Sequence, residues 1–343
     1  MKKINQIWHI LVLITLTSVL ISCQSKKDQV LSLEGKTMGQ VSYRILVVTK
    51  PSNQQSIHNG IDEKLDEIVQ LMSTYEKDSE VSRFNDLGVN ESFSIDSKTF
   101  DVMELSQLIS EQTNGAFDIT VGPLVDLWGF GPKARPEQIP DPMQIMQSFD
   151  LIGYEAISLN ADELSISKSQ YRRIDLSAIA KGYAVDEIAR FLDSKAINGY
   201  MIEIGGEIRL KGLKPNGDKW RIAIEKPQIG LGQQVLTTLA ITDISMATSG
   251  DYRNFFEVDG VRFSHTIDPK TGYPIDHQLA SVTVLSEDCA VADAMATALM
   301  VMGEVDAVKF ANENDISAFF IIKTDEGFKQ VSSQSYKIQA NEK

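Results

Sequence analysis

The chain has 343 residues, 43 % of them hydrophobic, and a formal net charge of −14 at pH 7. A chain this acidic repels nucleic acid and acidic lipid surfaces, which excludes DNA and RNA as expected partners. Its length is sufficient for a sizeable core, and a phosphorylated ligand would need local basic residues, backbone donors or a metal ion.

The first residues predict a secretory signal. Lys2 and Lys3 precede a short apolar run over residues 7–21, and Leu-Ile-Ser stands directly before Cys23. This order is typical of a signal peptide, which we assign to residues 1–22. The cysteine after Leu-x-Ser resembles the bacterial lipobox, in which that cysteine is lipidated. A simple signal-anchor helix is the alternative.

A lipid on Cys23 would anchor the protein to a membrane of the bacterial cell envelope, on the extracytoplasmic side. Gln24 follows, so the aspartate that retains enterobacterial lipoproteins at the inner membrane is absent, and the choice of membrane stays open. Residues 23–33 read as the lipidated cysteine and a polar tether. Removing residues 1–22 changes the net charge to −16. With Cys23 lipidated, Cys289 is the one remaining thiol, so no disulfide within the chain is expected.

Periodic patterns define the first part of the mature chain. Val41–Thr49 alternates and predicts a strand, and Gln54–Met72 has the apolar spacing of an amphipathic helix. A polar loop over residues 73–85 and a second helix over Ser97–Thr113 follow. The segment 114–131 is rich in glycine yet carries aromatic side chains, which indicates a ligand pocket. A loop that packs on its own core is the alternative.

The turn after residue 174 is the first candidate site. A short strand over Tyr171–Ile174 is predicted to enter it, and a helix carries the chain onward to about Lys195. The turn has a carboxylate, a hydroxyl, small residues and Lys181, and the amides of a helix start favour an anion, so it could hold a phosphate. An ordinary turn with Asp175 as the N-cap and Lys181 solvated explains the pattern equally well.

The second half of the chain predicts short strands in hairpins. Tyr200–Leu210 reads as two strands around a tight turn at Gly205-Gly206, and Asp259-Gly260 is a second hairpin turn. The other predicted strands are Trp220–Glu225, Val235–Ile241, Phe255–Val258, Val261–His265 and Ser281–Leu285. Cys289–Met302 predicts a helix. The fold class is therefore α+β, with mixed, largely antiparallel sheets and flanking helices.

Asp293 and Thr297 are a candidate metal site within that last helix. They stand four residues apart, on one face, among small and apolar residues. A buried aspartate without a partner is costly, and carboxylate and hydroxyl oxygens suit Mg²⁺. The alternative is that Asp293 caps a neighbouring helix or pairs with an arginine.

His265 is a candidate base. Of the three histidines in the mature chain it alone stands at a predicted strand end before a Pro- and Gly-containing turn. A group that titrates near neutral pH could take a proton from a hydroxyl nucleophile. A lone histidine is more often structural.

Taken together, these segments resemble the FAD:protein FMN transferase family, the ApbE-type flavin transferases. The resemblance runs from about Lys36 to about Gly303, and Gln40 stands where the family usually has threonine. Its motifs are Thr37-Met38-Gly39, Met72–Tyr75 with Ser79–Asn85, Gly115–Asp118 through Trp128–Gly131, Asp175–Asp186, Gly205-Gly206-Glu207, Thr248–Tyr252, His265–Pro274 and Ala292–Ala294.

The resemblance implies a flavin transferase domain over residues 34–335, with an ApbE-like fold of two interleaved lobes. It implies a metal-dependent enzyme that cleaves the pyrophosphate of FAD, moves FMN onto a Thr or Ser hydroxyl of an exported protein such as a redox-pump subunit, and releases AMP. The implied FAD-site residues are Met38, Tyr75, Ala116, Phe117, Asp118, Asp175, Lys181 and Ile267. The implied metal ligands are Asp293, Thr297 and the carbonyl of Ala178.

This activity agrees with the chemistry of the candidate residues. Phosphoryl transfer requires mainly positioning and charge neutralisation, which Mg²⁺ and Lys181 would supply to an acidic protein. His265 is the expected base, although an acidic residue near the metal could serve instead. The alternatives are an FAD pyrophosphatase, in which water replaces the acceptor hydroxyl, and a non-catalytic FAD-binding lipoprotein.

Overall fold

The described part of the chain surrounds one large sheet. The computed structural model describes residues 28–131, 139–227, 235–252 and 254–341, and side chains as far as residue 337. The predicted signal peptide and Cys23 lie outside these residues. None of the helices within the described ranges has the length and apolar character needed to cross a membrane.

Strands and helices are interspersed along the chain. The strands are β1 (Gln29–Thr37), β2 (Val41–Thr49), β3 (Phe93–Ser94), β4 (Ile157–Asn160), β5 (Ser165–Lys168), β6 (Tyr200–Ile204), β7 (Glu207–Lys211), β8 (Trp220–Glu225), β9 (Val235–Ile241), β10 (Ile244–Gly250), β11 (Phe255–Val258), β12 (Val261–Ser264), β13 (Leu279–Ser286), β14 (Ser317–Thr324) and β15 (Gly327–Ser332). The α-helices are α1 (Gln54–Met72), α2 (Glu80–Asp86), α3 (Ser97–Gln112), α4 (Gly122–Leu127), α5 (Pro142–Phe149), α6 (Ala180–Ser194), α7 (Cys289–Glu313) and α8 (Gln334–Asn341).

The main sheet has eight strands within the described residues, in the order β1-β2-β6-β7-β10-β13-β14-β15. Every neighbouring pair in it is antiparallel. Three small sheets accompany it, namely β3-β5-β4, β8-β9 and β11-β12. The predicted α+β class with largely antiparallel sheets is confirmed.

Both faces of the main sheet are covered. Helices α1, α6 and α7 pack on one face of the sheet and form the larger hydrophobic core with it. The β8–β9 hairpin and α8 pack on the other face, where a second core surrounds Trp220. Phe319 and Phe320, adjacent on β14, belong to different cores. This is expected because successive side chains of a strand point to opposite faces of its sheet.

The segments with the clearest periodicity fold as predicted. The strand Val41–Thr49 and the helix Gln54–Met72 have the predicted bounds. On α1 the side chains of Ile57, Ile61 and Leu65 are buried because their spacing places them on one face of the helix.

Helix α7 contains a break. Its regular part matches the predicted Cys289–Met302, after which Gly303 adopts φ 77° and ψ 174° and the helix resumes to Glu313. His277 packs against this glycine and lies with Nε2 2.8 Å from the carbonyl of Met300. The imidazole of His277 therefore packs beside the break and hydrogen-bonds the Met300 carbonyl, close to the end of the regular part.

The predicted tether is too long. Gln29–Leu33 belong to β1 and pair with β2, whereas the tether was expected to extend to residue 33. Leu31 and Leu33 are buried and the residues between and beside them are exposed, as expected for a strand with one face on the core. Burial of their side chains makes this stretch part of the fold.

Two local predictions between residues 73 and 174 are wrong. The polar loop over residues 73–85 contains most of α2, whose N-terminus is capped by Ser79 Oγ, which accepts from the Ser82 amide. The strand predicted over Tyr171–Ile174 does not pair with another strand. The side chain of Asn85 replaces such a partner by binding both the amide and the carbonyl of Ile174, at 2.7 and 2.9 Å.

Candidate active site

Helices α6 and α7 touch at their first turns. A Cβ on Gly182 would lie 2.4 Å from the carbonyl oxygen of Cys289, so this crossing requires glycine. Asp186, on α6, accepts hydrogen bonds from the amides of Cys289 and Ala290 at 3.0 and 2.9 Å. Burial raises the pKa of Asp186, although these amides and Arg209 act in the opposite direction. A side chain of α6 therefore caps α7.

Asp293 makes the reverse connection from α7 to α6. Its side chain is buried, and Oδ2 accepts a hydrogen bond from the Gly182 amide at 2.9 Å. Its Oδ1 lies 3.4 Å from Lys181 Nζ. Burial raises the pKa of Asp293, while Lys181 and the Gly182 amide act to lower it. The helix-capping role considered as an alternative for Asp293 is therefore present in the structure, and within the described ranges Oδ1 is paired only with Lys181.

The other two implied metal ligands are neutral oxygens. Gly182 stands four residues after Ala178, so in a regular helix its amide would donate to the Ala178 carbonyl, but it donates to Asp293 instead. Thr297 follows Asp293 by one turn, and its Oγ1 lies 3.4 Å from Ser249 Oγ on β10. No group of three or more His, Cys, Asp or Glu suited to a metal occurs in the described ranges. A cation here would thus depend on one carboxylate and neutral oxygens.

Lys181 is shared between two buried carboxylates. Its Nζ lies 2.7 Å from Glu207 Oε1, closer than it lies to Asp293. Burial would lower the pKa of Lys181, but Asp293 and Glu207 together raise it above its ordinary value. Its side chain is 28 % exposed, whereas that of Glu207 is 3 % exposed. The turn holding Lys181 is therefore not the solvated surface turn considered as an alternative, and Asp175 does not cap α6.

Asp118 organises the glycine-rich segment. One carboxylate oxygen accepts from the amide and hydroxyl of Thr120, at 2.7 and 2.6 Å, and the other accepts from the Tyr154 amide at 3.2 Å. Burial raises the pKa of Asp118, and these hydrogen bonds oppose that shift. The neighbouring Ala116 and Phe117 are buried. These hydrogen bonds and the burial of the neighbouring side chains hold this segment in one conformation.

The glycine-rich segment is tied directly to the turn before α6. The Asp175 amide donates to the Ile119 carbonyl at 2.7 Å, and Asp175 Oδ1 accepts from the Ser177 amide at 2.9 Å. Tyr75 is 68 % exposed, and its remaining burial, with Asp175 and Asp126 nearby, raises its pKa. Three implied FAD-site segments thus adjoin one another.

Met38 and Ile267, two further residues of the implied FAD site, lie in different parts of the fold. Met38 adopts φ 46° in the turn between β1 and β2 and packs against the larger core. Val41, which begins β2 directly after this turn, and Lys181 are both close neighbours of Gly205, so the start of β2 lies near Lys181. Ile267 is buried and forms an isolated antiparallel bridge with Pro274, which fixes the chain directly after His265.

The backbone carbonyl of Asn254 and the ring of Phe130 hold the His265 side chain in place. Its Nδ1 lies 3.0 Å from the Asn254 carbonyl, so this nitrogen carries the proton and donates, which leaves the lone pair on Nε2. Burial lowers the pKa of His265, and Lys181 acts in the same direction. The ring meets Phe130 edge-on, with centroids 6.2 Å apart. Burial therefore favours the neutral imidazole, and the Asn254 carbonyl and Phe130 hold the ring in one orientation.

The rings beside His265 form an aromatic cluster made of Trp128, Phe130, Phe256 and Phe263. Phe256 and Phe263 come from the β11–β12 hairpin, and Phe263 stacks on Trp128 at 5.5 Å. The indole nitrogen of Trp128 donates to the Gly272 carbonyl at 3.0 Å. The cluster joins the glycine-rich segment to the hairpin and to the turn that follows His265.

Comparison with known proteins decides the family. The family model described as "ApbE family" matches residues 38–320. The chain belongs to the ApbE family. The recognition made from the sequence motifs is confirmed.

Curated members of the ApbE family are similar over almost the whole chain. A Vibrio cholerae protein named "FAD:protein FMN transferase" is 45 % identical over 329 residues, which are 95 % of this chain and 97 % of that protein. A Haemophilus influenzae protein of the same name is 43 % identical over 325 residues, 93 % of each chain. An Escherichia coli protein of that name is 37 % identical over 319 residues, 90 % of this chain and 89 % of that protein.

Solved structures of ApbE proteins share the fold. The flavin transferase ApbE from Vibrio cholerae has a TM-score of 0.83 at 44 % identity, covering 90 % of this chain and 99 % of that one. The apo form of the flavinyl transferase ApbE from Pseudomonas stutzeri has a TM-score of 0.84 at 35 % identity, covering 92 % and 98 %. The expected ApbE-like fold is confirmed.

Two residues of this ApbE protein's site escaped the sequence reasoning. The motifs assign no role to either residue: Glu207 ends the motif Gly205-Gly206-Glu207, and Asp186 ends the motif that begins at Asp175. The signal that could have identified both is an acidic residue among apolar neighbours in a segment with several other candidate site residues. Their partners lie far away in the chain, so spacing alone could not name them.

Proposed function

We propose that this protein is a Mg²⁺-dependent FAD:protein FMN transferase that moves FMN from FAD to a Thr or Ser hydroxyl of an exported protein and releases AMP. The observation that carries the proposal is the junction of α6 and α7, where Lys181 pairs with the buried Asp293 and Thr297 follows Asp293 by one helical turn. The name FAD:protein FMN transferase, carried by relatives at 45 % and 43 % identity, supports it.

The residues present fit a hard divalent cation. Among the residues that the structure describes, Asp293 Oδ1 is paired only with Lys181, at 3.4 Å. The Gly182 amide donates to Asp293 Oδ2 and not to the Ala178 carbonyl. Together with Thr297 Oγ1 these are oxygen ligands of the kind that Mg²⁺ prefers when water and phosphate complete its coordination. When bound, Mg²⁺ would neutralise charge on the pyrophosphate of FAD.

The protein's own residues supply the remaining work of phosphoryl transfer. The acceptor oxygen would attack the phosphorus of the FMN moiety, and the bond from that phosphorus to the bridging oxygen would break, so that AMP leaves with the bridging oxygen. Lys181 would stabilise the negative charge on the transferring group from the N-terminus of α6. Positioning and charge account for most of the rate enhancement in this chemistry.

His265 would take the proton from the acceptor hydroxyl. Its Nδ1 donates to the Asn254 carbonyl, so the unprotonated Nε2 is available as a base, and its lowered pKa keeps it neutral near pH 7.

We further propose that Cys23 is lipidated and anchors the domain on the extracytoplasmic side of a membrane of the cell envelope. The sequence before Cys23 supports this, since a charged start and a short apolar run precede Leu-Ile-Ser-Cys. The anchor would place the enzyme beside exported acceptors such as redox-pump subunits.

The test uses the chain from Gln24 onward, FAD, Mg²⁺ and an exported flavoprotein acceptor. Mass spectrometry would detect FMN added to the acceptor, and chromatography would detect AMP. Both products are expected, and both should vanish with EDTA. An acceptor with its target threonine or serine changed to alanine is the matched control. AMP and free FMN without a labelled acceptor would instead indicate an FAD pyrophosphatase, and bound FAD without products a flavin-binding lipoprotein.

A further inference from the structure

Glu207 is a buried acidic residue that the proposed mechanism does not use. It begins β7, is 3 % exposed, and places Oε1 2.7 Å from Lys181 Nζ. Its Oε2 is buried and has no hydrogen-bond partner among the described residues. Burying a carboxylate in this way is costly, so its presence beside Lys181 calls for a function.

The position of Glu207 is set by rigid structure. Ile204 and Glu207 are paired across a two-residue hairpin turn that joins two inner strands of the main sheet. Gly205 in this turn has φ 64°, and a Cβ there would lie 2.8 Å from Val41 and 3.3 Å from the side chain of Lys181. A tight turn packed against Lys181 holds the Glu207 carboxylate at a fixed place relative to the ammonium.

The two carboxylates around Lys181 are not equivalent. The ammonium is 2.7 Å from Glu207 Oε1 and 3.4 Å from Asp293 Oδ1, so its closer bond is with Glu207. Without Glu207, the nearest acidic partner of Lys181 would be Asp293. A full Lys181–Asp293 ion pair would occupy the oxygen that the proposed cation needs.

We propose that Glu207 is a positioning residue that holds Lys181 away from Asp293 and thereby keeps Asp293 Oδ1 open for a divalent cation. The inference rests on the proposed function, because it takes Asp293 as a metal ligand. Groups that orient a ligand without touching the metal commonly change metal affinity by 10- to 100-fold when removed.

The test measures binding of Mn²⁺ alone to the full chain in detergent, from the EPR signal of the free ion, without FAD. Glu207→Gln should weaken binding by roughly tenfold or more. Glu80→Gln is the matched control, since Glu80 is also buried but binds the Asp96 amide rather than Lys181. It should leave the Mn²⁺ affinity unchanged. Circular dichroism melts would verify the fold of each variant.

A double-mutant cycle tests whether Glu207 acts through Lys181. In a Lys181→Met background, Glu207→Gln should change the Mn²⁺ affinity by no more than about twofold, because no ammonium remains to be held. An equal loss in both backgrounds would overturn the inference, since Glu207 would then act on the cation by its own charge.

A second variant covers the case in which Glu207→Gln does not fold. Glu207→Asp keeps the acidic group but shortens its reach to Lys181, so weaker Mn²⁺ binding is expected, and unchanged binding would overturn the inference. If the unaltered chain binds Mn²⁺ and both Glu207 variants bind it equally well, only this inference fails. If the unaltered chain binds no Mn²⁺, the metal part of the proposed function fails and the inference with it.

Discussion

Asp186 and Asp293 each accept hydrogen bonds from the first turn of the helix that carries the other. Asp186 on α6 binds the amides of Cys289 and Ala290, and Asp293 on α7 binds the amide of Gly182. One amide at the start of α6 and two at the start of α7 are therefore satisfied by a carboxylate, which the dipole of each helix also favours. This exchange fixes how α6 and α7 cross, and with it the place of the candidate metal ligands.

Asp186→Ala should destabilise the protein. The change removes two backbone hydrogen bonds and the pairing with Arg209, which together should cost roughly 2–3 kcal/mol of the free energy of unfolding. Urea denaturation would measure it. Asp193→Ala is the control on the same helix, since that exposed side chain pairs with Lys211 and accepts from the Tyr200 hydroxyl, and its loss should cost about 1 kcal/mol. Equal losses would contradict the capping role.

Asp293→Ala should abolish transfer while leaving a folded protein. The variant loses the one carboxylate in the implied ligand set. Removing a group that stabilises transition-state charge typically lowers kcat by about 100-fold or more. The lost cap should cost about 1 kcal/mol, too little to unfold a domain of this size. Acceptor labelling and a thermal melt would check the two parts. Activity equal to that of the unaltered chain would remove the metal assignment.

His265→Ala should retain FAD but transfer FMN slowly. Loss of a positioned general base typically costs 10²- to 10⁴-fold, roughly, in the chemical step. FAD binding would be followed by fluorescence and the transfer rate by single-turnover labelling. His58→Ala is the control, because His58 pairs with Asp62 on the exposed side of α1 and should not alter the rate. A rate unaffected by His265→Ala would assign the base elsewhere.

The transfer rate should fall only at acidic pH. The pKa of His265 lies below its ordinary value because of burial, with Lys181 adding to the effect and the Asn254 carbonyl and Asp251 opposing it. The neutral form is the base, so the rate should stay level as pH falls from 8 toward about 6.5 and decline below that as Nε2 becomes protonated. The pH profile of single-turnover labelling would show this. A decline centred above pH 7 would contradict the assignment.

How much the sequence predicts depends on the range of the interactions involved. Local periodicity predicts β2 and α1 to the residue, and the i, i+4 spacing predicts that Asp293 and Thr297 share a helix face. The contact between Gly182 and Asp293 joins residues 111 apart in the chain. No spacing rule reports such a contact, so the pairing of α6 with α7 emerges only in three dimensions.

Strand β10, which the periodicity of the sequence does not predict, shows a second limit. Its sequence is short and carries Ser245, Thr248 and Ser249, which do not alternate with apolar residues in the manner of a typical strand. It is nevertheless an inner strand, because its hydroxyls find partners, as Thr248 does with Thr283 at 2.8 Å. Polar residues are tolerated in an inner strand where their side chains find hydrogen-bond partners, and here the partner Thr283 lies on another strand, β13.

Gly182→Ala should damage both the fold and cation binding. A Cβ would meet the Cys289 carbonyl at 2.4 Å, and since this is backbone, α6 and α7 must separate. Overpacking of this kind typically costs about 1–3 kcal/mol, and separation would lengthen the Gly182–Asp293 hydrogen bond. Gly122→Ala is the control, because its Cβ would meet only Asp175 at an ordinary 3.5 Å. Urea denaturation and Mn²⁺ titration should both change for Gly182→Ala. A variant with unchanged stability would show that the helices can adjust without cost, and the crossing would then not depend on glycine.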